Sequence, residues 1–242
     1  FRVLAIPFLF ESYEEVDYVK EGLIPTFRER FREKGLEFIA MTEVGFIYAM
    51  STQPISSFES LKNSKNWSPA GDPVSEKYLA ALGISPIALS IPDVLISLQS
   101  GLVETVYNSF YGSIVLQWFT KARYIADVPY GYAYGVFALD GKKFARLPEK
   151  HRNVIQAAAK IHFPVLLEKT RESNSESRRV LTERGTEFLK VDKETVQILR
   201  SKREEAVQSL VPGSVSKAIY DQTVGLRKEF RDKTTGPGEI AH

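Results

Sequence analysis

The 242-residue sequence predicts an α/β protein made of two bodies, and two observations carry that reading. Segments of strand and helix character alternate from residue 36 to 120, as βαβ units of a mostly parallel sheet would. One helical pattern then runs from Pro148 to about Arg184, interrupted only by Pro164; at 1.5 Å per residue it spans roughly 50 Å, more than one small domain can cover.

The elements follow in order. "FRVLAIPFLF" reads as an apolar strand or strand end, already an interior segment of something longer. From Ser12, a candidate N-cap followed by acids, apolar residues recur at helical spacing until Gly35, with a bend expected at Pro25. "LEFIAMTEVGFIYAMST", rich in β-branched and aromatic residues, predicts one long or two short strands broken at Gly45. "QPISSFESLKNSKNWSPAGD" reads as a polar connection. "PVSEKYLAALG" is a short helix closed by Gly83 and "ISPIALS" a strand, while "PDVLISLQSG" is a helix opened by Pro92 and Asp93 and stopped at Gly101. "LVETVYNSF" predicts a strand, "YGSIVLQWFTKA" a helix, and "RYIADVPYGYAYGVFALD" two extended segments paired with each other.

In the long helix, Val154, Ala158, Ile161 and Val165 form an apolar stripe expected to face a core, whereas "EKTRESNSESRR" is polar nearly all round, as a segment crossing between bodies would be. Pro164 should kink it. A strand "TEFLKV" and two further helices lead to a frayed tail, "TTGPGEIAH".

Composition narrows the function. Hydrophobic residues make up 43% and charged residues 26%, the profile of a soluble globular chain. Thirty-two basic and 30 acidic residues leave a formal charge of +2, too little field to draw nucleic acid or anionic lipid. The absence of cysteine removes disulfides, thiolate metal sites and cysteine nucleophiles. No run approaches the ~20 apolar residues of a membrane helix.

Catalytic signatures are sparse. No phosphate-binding loop, dinucleotide fingerprint, nucleophile elbow or zinc-protease motif occurs. His151 and His162 lie eleven residues apart on the long helix, too distant to share a metal, and read as surface or packing residues. "NWS" at Asn66 matches a glycosylation sequon, a pattern short enough to recur by chance. The sequence therefore predicts no enzyme, no metal and no cofactor. What stands out is a density of aromatic and amide side chains near strand ends: Trp67, Tyr107, Asn108, Phe110, Tyr111, Trp118, Tyr130, Tyr132 and Tyr134. Small-ligand pockets have aromatic walls with a few placed polar groups. Phe110, Trp118 and Tyr134 are also explained as core, whereas Tyr107 and Asn108 end a strand at the same rim as the Asp93 corner.

"IPFLFESYEE", "ALGISPIALSIPDVLISLQSGLVE" and "FARLPEKHRNVIQAAA" resemble the solute-binding receptors of tripartite ATP-independent periplasmic (TRAP) transporters, of the dicarboxylate-receptor type. The resemblance covers about residues 1 to 200. It rests on Pro7-Phe8-Leu9-Phe10, on Ala81-Leu82-Gly83 with Pro86, on Asp93-Val94, Leu98-Gln99 and Gly101, and on Glu104 and Asn108. It implies a periplasmic binding protein-like fold with hinge strands and a lobe-spanning helix, the first lobe incomplete. The expected division is residues 1–42 and 128–165 for the first lobe, and 43–127 and 166–242 for the second with the C-terminal helices.

The resemblance further implies a periplasmic, non-membrane-spanning receptor, monomeric or dimeric, that closes about its hinge on a small organic solute and docks on the TRAP permease subunits. Trp67 stands where the family has a carboxylate-binding arginine, and Tyr107 where it has an acid. Trp cannot neutralise a carboxylate, so the ligand is expected to escape the usual clamp unless Lys65 or an arginine from the absent segment compensates. The expected contacts are Trp67, Tyr107 and Asn108 from one side and Phe8 and Phe10 from the other, with Lys65, Tyr111 and Tyr130 also among the expected ligand-binding residues. Alternatives are a sensory or interaction module of the same fold, or a hydrolase or lyase using the same cleft.

Overall fold

The computed structural model describes residues 1–234. Its elements are α1 (Tyr13–Glu33), β1 (Leu36–Ser51), α2 (Phe58–Asn63), β2 (Trp67–Pro69), α3 (Pro73–Ala81), β3 (Ile87–Leu89), α4 (Val94–Ser100), β4 (Thr105–Asn108) and α5 (Phe110–Val115). There follow β5 (Tyr124–Ala126), β6 (Gly131–Asp140), α6 (Gly141–Arg146), α7 (Glu149–Glu183), β7 (Glu187–Leu189), α8 (Lys193–Leu210) and α9 (Lys217–Thr234). Apart from Thr234, the expected tail lies outside the described residues.

Local chemistry sets the boundaries. The Ser12 hydroxyl accepts from the Glu15 amide and starts α1, and Gly35 takes φ of +73° beyond its end. Asp72 caps α3 through the Val74 and Ser75 amides. The presumed polar connection holds structure of its own: Ser57 and Ser60 form a reciprocal capping box that starts α2, and Trp67–Pro69 pairs as β2. Serine-rich composition concealed both elements, because a capping box and a turn use the same residue types.

β1 is one continuous 16-residue strand that serves both halves of the molecule. Leu36 to Ile47 pair antiparallel with β6, and Tyr48 to Ser51 pair antiparallel with β4, with Met50 and Ser51 also facing β5. A register shift sits at Gly45, whose φ of +105° only glycine adopts readily; a Cβ there would meet the Asn174 amide and the Tyr13 hydroxyl, each at 2.8 Å.

The sheet is therefore not mostly parallel. Parallel pairing is confined to β2–β3, β5–β7 and a bridge between Asn66 and Thr105 that joins β2 to β4, while β1 runs against all its neighbours. β5 and β6 do not pair with each other either, since both use β1. Alternating strand and helix patterns fix element type but not pairing direction, which depends on contacts distant in sequence.

Two apolar cores flank β1. One joins α1, the first half of β1, β6 and the end of α8, with Val16, Val19, Leu23 and Phe27 from one face of α1. The other joins Met50, Trp67, Val94, Leu98, Val106, Trp118, Ile125 and Leu181. The long helix is present as expected, 35 residues or about 52 Å, with Pro164 inside it.

Its faces are the reverse of the expectation. Val154 and Ile161 are 59% and 64% exposed, and Ala158 and Val165 also face outward, whereas Asn174, Ser177 and Leu181 in the polar half are buried. Asn174 donates to the Val44 carbonyl and accepts from the Tyr111 amide; Arg178 makes a bidentate pair with Asp127 and lies over the Phe188 ring. The polar half is inward-facing because its groups are hydrogen-bonded, which hydropathy alone does not register.

α9 was expected with the second lobe, yet it packs on α1. Gln222 bonds Thr26 and the Gly22 carbonyl, Arg231 pairs with Glu15, and Phe230 meets Tyr18. Leu226 lies so close over Gly22 that a Cβ there would meet it at 2.6 Å. His151 and His162 are exposed.

Candidate functional site

Between the two bodies lies a cavity of about 240 Å³. The second body supplies Trp67 and Pro69 from β2, Asp72 and Ser75 from the start of α3, Ile91, Tyr107 and Asn108 from the end of β4, and Trp118. The first body and the strands joining the two supply Ala5, Pro7, Val44 and Ile47, and Tyr130 to Ala133.

Four of the eight expected residues meet here. Trp67 is a wall, 3% exposed, set edge-to-face against Trp118 with ring centroids 5.3 Å apart; its indole N–H is spent on the Leu89 carbonyl at 3.0 Å and is not offered to a ligand. Tyr107 and Tyr130 lie with centroids 4.5 Å apart. The Tyr107 hydroxyl donates to Asn66 Oδ1 at 2.6 Å. Asn108 Oδ1 accepts from the Ser109 amide, which leaves the amide nitrogen as its free arm. Tyr130 is 7% exposed, and its buried hydroxyl has no hydrogen-bond partner. Burial, with the charges of Tyr107, Tyr78 and Asp72 adding to it, raises the pKa of that hydroxyl well above the ordinary tyrosine value, so it stays neutral.

The other four lie elsewhere. Phe8 is held at φ of +56°; its amide donates to the Tyr130 carbonyl, and its ring packs on Tyr78 and Tyr130 behind the cavity. Phe10 is core against Tyr132. Lys65 turns away, its ammonium on the Gly101 carbonyl at 2.8 Å and 3.7 Å from Glu104, and it does not line the cavity. Tyr111 is an exposed residue. The Asp93 corner contributes Ile91 to the lining, while Asp93 binds Ser90 at the surface. Asn66 of the sequon is buried, its amide given to the Leu61 and Ser64 carbonyls.

Residues 1–212 of the chain match the DctP family model, the bacterial extracellular solute-binding proteins of family 7. The chain belongs to this family. Among curated proteins it is 24% identical over 195 residues to a solute-binding protein of Roseobacter denitrificans, and 23% identical over 158 residues to one of Sulfitobacter. These matches cover 78% and 64% of this chain but 59% and 48% of the relatives, so the chain spans about half the length of the curated proteins it matches.

Among solved structures it resembles the periplasmic ectoine-binding protein of the TeaABC TRAP transporter of Halomonas elongata, with TM-score 0.86 and 18% identity over 94% of this chain and 77% of that one. A TRAP periplasmic solute-binding protein of Xanthobacter autotrophicus with bound β-D-galacturonate gives 0.84 and 19% over 94% and 74%. One from Roseobacter denitrificans with bound L-galactonate gives 0.80 and 24% over 93% and 73%. At these identities the likeness establishes the two-lobed fold.

Within this family 7 chain, sequence reasoning missed Asp72 as a lining residue, and named Trp118 among the aromatic candidates while favouring a core role for it. Asp72 reads as an ordinary helix cap, and Trp118 is both, 1% exposed yet bordering the cavity. Behind Tyr132 stands a charged network. Arg171 of α7 donates twice to Asp17 of α1 at 2.8 Å and twice to the buried Glu43 of β1, which also accepts from the Tyr132 hydroxyl at 2.6 Å. It ties both long helices to the cavity wall.

Proposed function

We propose that this chain is, or is the greater part of, a periplasmic receptor that captures a small organic solute by hinge closure and presents it to the membrane subunits of a TRAP transporter. The observation that carries this is the composition of one cavity from both bodies, with β1 and the Val128–Gly131 segment running between them. A solute touching both walls gains most when they are closed, and that difference is the drive for closure. The ligand contacts are Trp67, Tyr107, Asn108 and Tyr130, joined by Trp118 and Tyr132. The first lobe comprises residues 1–42 and 128–165 with α9 against it, and the second 43–127 and 166–210. The role is binding, not turnover.

No helix among the described residues is long and apolar enough to cross a membrane, which supports an accessory subunit that meets its permease at a surface. Thermal melting against a solute library that includes ectoine, L-galactonate and β-D-galacturonate tests the reading. A binder at 100 times its Kd should add about 2.7 kcal/mol of apparent stability. Conversion of a bound compound into product would instead assign the cleft to an enzyme.

A further inference from the structure

The charges around the cavity, or their scarcity, point to its ligand class. Among the described residues that line it, Asp72 is the single charged side chain; no lysine, arginine or histidine contributes. Asp72 also occupies the place an anion would use. It caps α3, its carboxylate taking the Val74 and Ser75 amides and the Ser75 hydroxyl, so the positive end of that helix is already answered. A ligand carboxylate entering there meets like charge and no compensating cation.

Five rings contribute to the rest of the wall: Trp67, Trp118, Tyr107, Tyr130 and Tyr132. Ring faces attract cations, most strongly where water is excluded. The Asn108 side-chain nitrogen, without a partner among the described residues, supplies one hydrogen bond to a ligand oxygen. At about 240 Å³ the space falls below the roughly 300–1,000 Å³ of sites for drug-sized ligands, so the guest is compact.

We infer that the cavity selects a compact organic cation carrying a hydroxyl or other oxygen acceptor, its charge centre among the rings and near Asp72, its oxygen on the Asn108 amide nitrogen. This rests on reading the chain as a solute receptor, and it names the solute class. The two tryptophans of the chain both border the cavity, so their emission reports occupancy directly.

The experiment titrates the 242-residue protein with choline, with tetramethylammonium, with the neutral isostere 3,3-dimethyl-1-butanol, and with succinate and D-galacturonate, following tryptophan emission and calorimetric heat. Choline should bind about tenfold or more tighter than the isostere, the difference a desolvated cation over aromatic faces supplies. Asp72→Asn keeps a capping side chain and should remove most of that preference at unchanged far-UV circular dichroism. The comparison on the unaltered protein needs no variant, so a misfolded Asp72→Asn does not decide the outcome. Equal binding of choline and its isostere overturns the inference. Binding of succinate or galacturonate without binding of either cation also overturns it, while leaving the receptor reading intact. Silence from all five compounds overturns the inference, while the receptor reading is decided by the wider solute library.

Discussion

The indole N–H of Trp67 ends on the carbonyl oxygen of Leu89 at 3.0 Å, so β2 and β3 are fastened by a side chain as well as by their backbone ladder. Trp67 is thus a structural member of the second body. Trp67→Phe should cost about 1 kcal/mol or more, through the lost hydrogen bond and the vacated volume. Trp67→Arg places an unpaired guanidinium at a 3% exposed site beside Trp118 and should cost several kcal/mol without gaining affinity for dicarboxylates. Urea melts of the two variants check the ranking, and a Trp67→Arg protein as stable as the parent contradicts it.

Tyr130→Phe should separate stability from binding. Removing a buried hydroxyl that has no partner relieves a desolvation cost of about 1–3 kcal/mol, so the variant should melt at or above the parent temperature. Its affinity for ligand should change little, because the hydroxyl is sealed from the cavity. A fall in both properties would mean the hydroxyl is satisfied in solution.

Gly112→Ala should abolish binding by moving Asn108. A Cβ on Gly112 would collide with the Asn108 side-chain amide from the first turn of α5. Alanine ordinarily favours a helix over glycine by about 1 kcal/mol, so a destabilised variant would report the clash itself. Calorimetry alongside thermal melting distinguishes loss of the site from loss of the fold.

The acid limb of stability should depend on Arg171. Burial alone would raise the Asp17 carboxyl, but hydrogen bonds from Arg171 and Lys20 outweigh it and hold its pKa below the ordinary value. A carboxyl depressed in the native state binds fewer protons than in the unfolded chain. Its stabilisation is therefore complete above about pH 4, the unfolded value, and is lost as pH falls below it. Arg171→Met should flatten that loss and, by leaving Glu43 buried without its cation, cost about 3–5 kcal/mol near neutrality. Chemical melts between pH 3 and pH 7 would show both effects.

At the alkaline end the sign reverses. Burial pushes the Tyr48 hydroxyl up to about 12, where its ring stacks on Phe110 with centroids 4.1 Å apart. Burial raises Tyr107 and Tyr132 further, the latter with Glu43 adding its charge. Groups raised in the native state stabilise it fully below about pH 10 and lose that contribution as pH climbs through the native value. Absorbance at 295 nm should thus show these phenols ionising together with unfolding, and a gradual titration before the fold is lost would count against their burial.

The sequence was most informative where chemistry is local. Ser12, Gly35, Gly83 and Gly101 mark helix ends because caps and left-handed turns involve neighbouring residues only. Trp67, Tyr107, Asn108 and Tyr130 could be proposed as a group because each lies at or just beyond a strand terminus, the position from which side chains enter a cleft. Phe8 and Phe10 carried a recognisable motif yet are buried, since a motif preserved for packing looks the same in sequence as one preserved for contact. Lys65 failed for a different reason: its long stem lets the ammonium swing to the Gly101 carbonyl, and no pattern of spacing fixes where a flexible cation settles.

The unbroken course of β1 has a mechanical corollary. With one backbone hydrogen-bonded to β6 up to Ile47 and to β4 from Tyr48, any rocking of either half is transmitted as torsion concentrated at a single peptide junction. The neighbouring Tyr130 amide, bonded to the Ile47 carbonyl at 2.7 Å, sits beside that pivot and beneath the ring that greets the guest. Deuterium uptake at these few amides would register occupancy of the chamber before any change is felt at the outer helices.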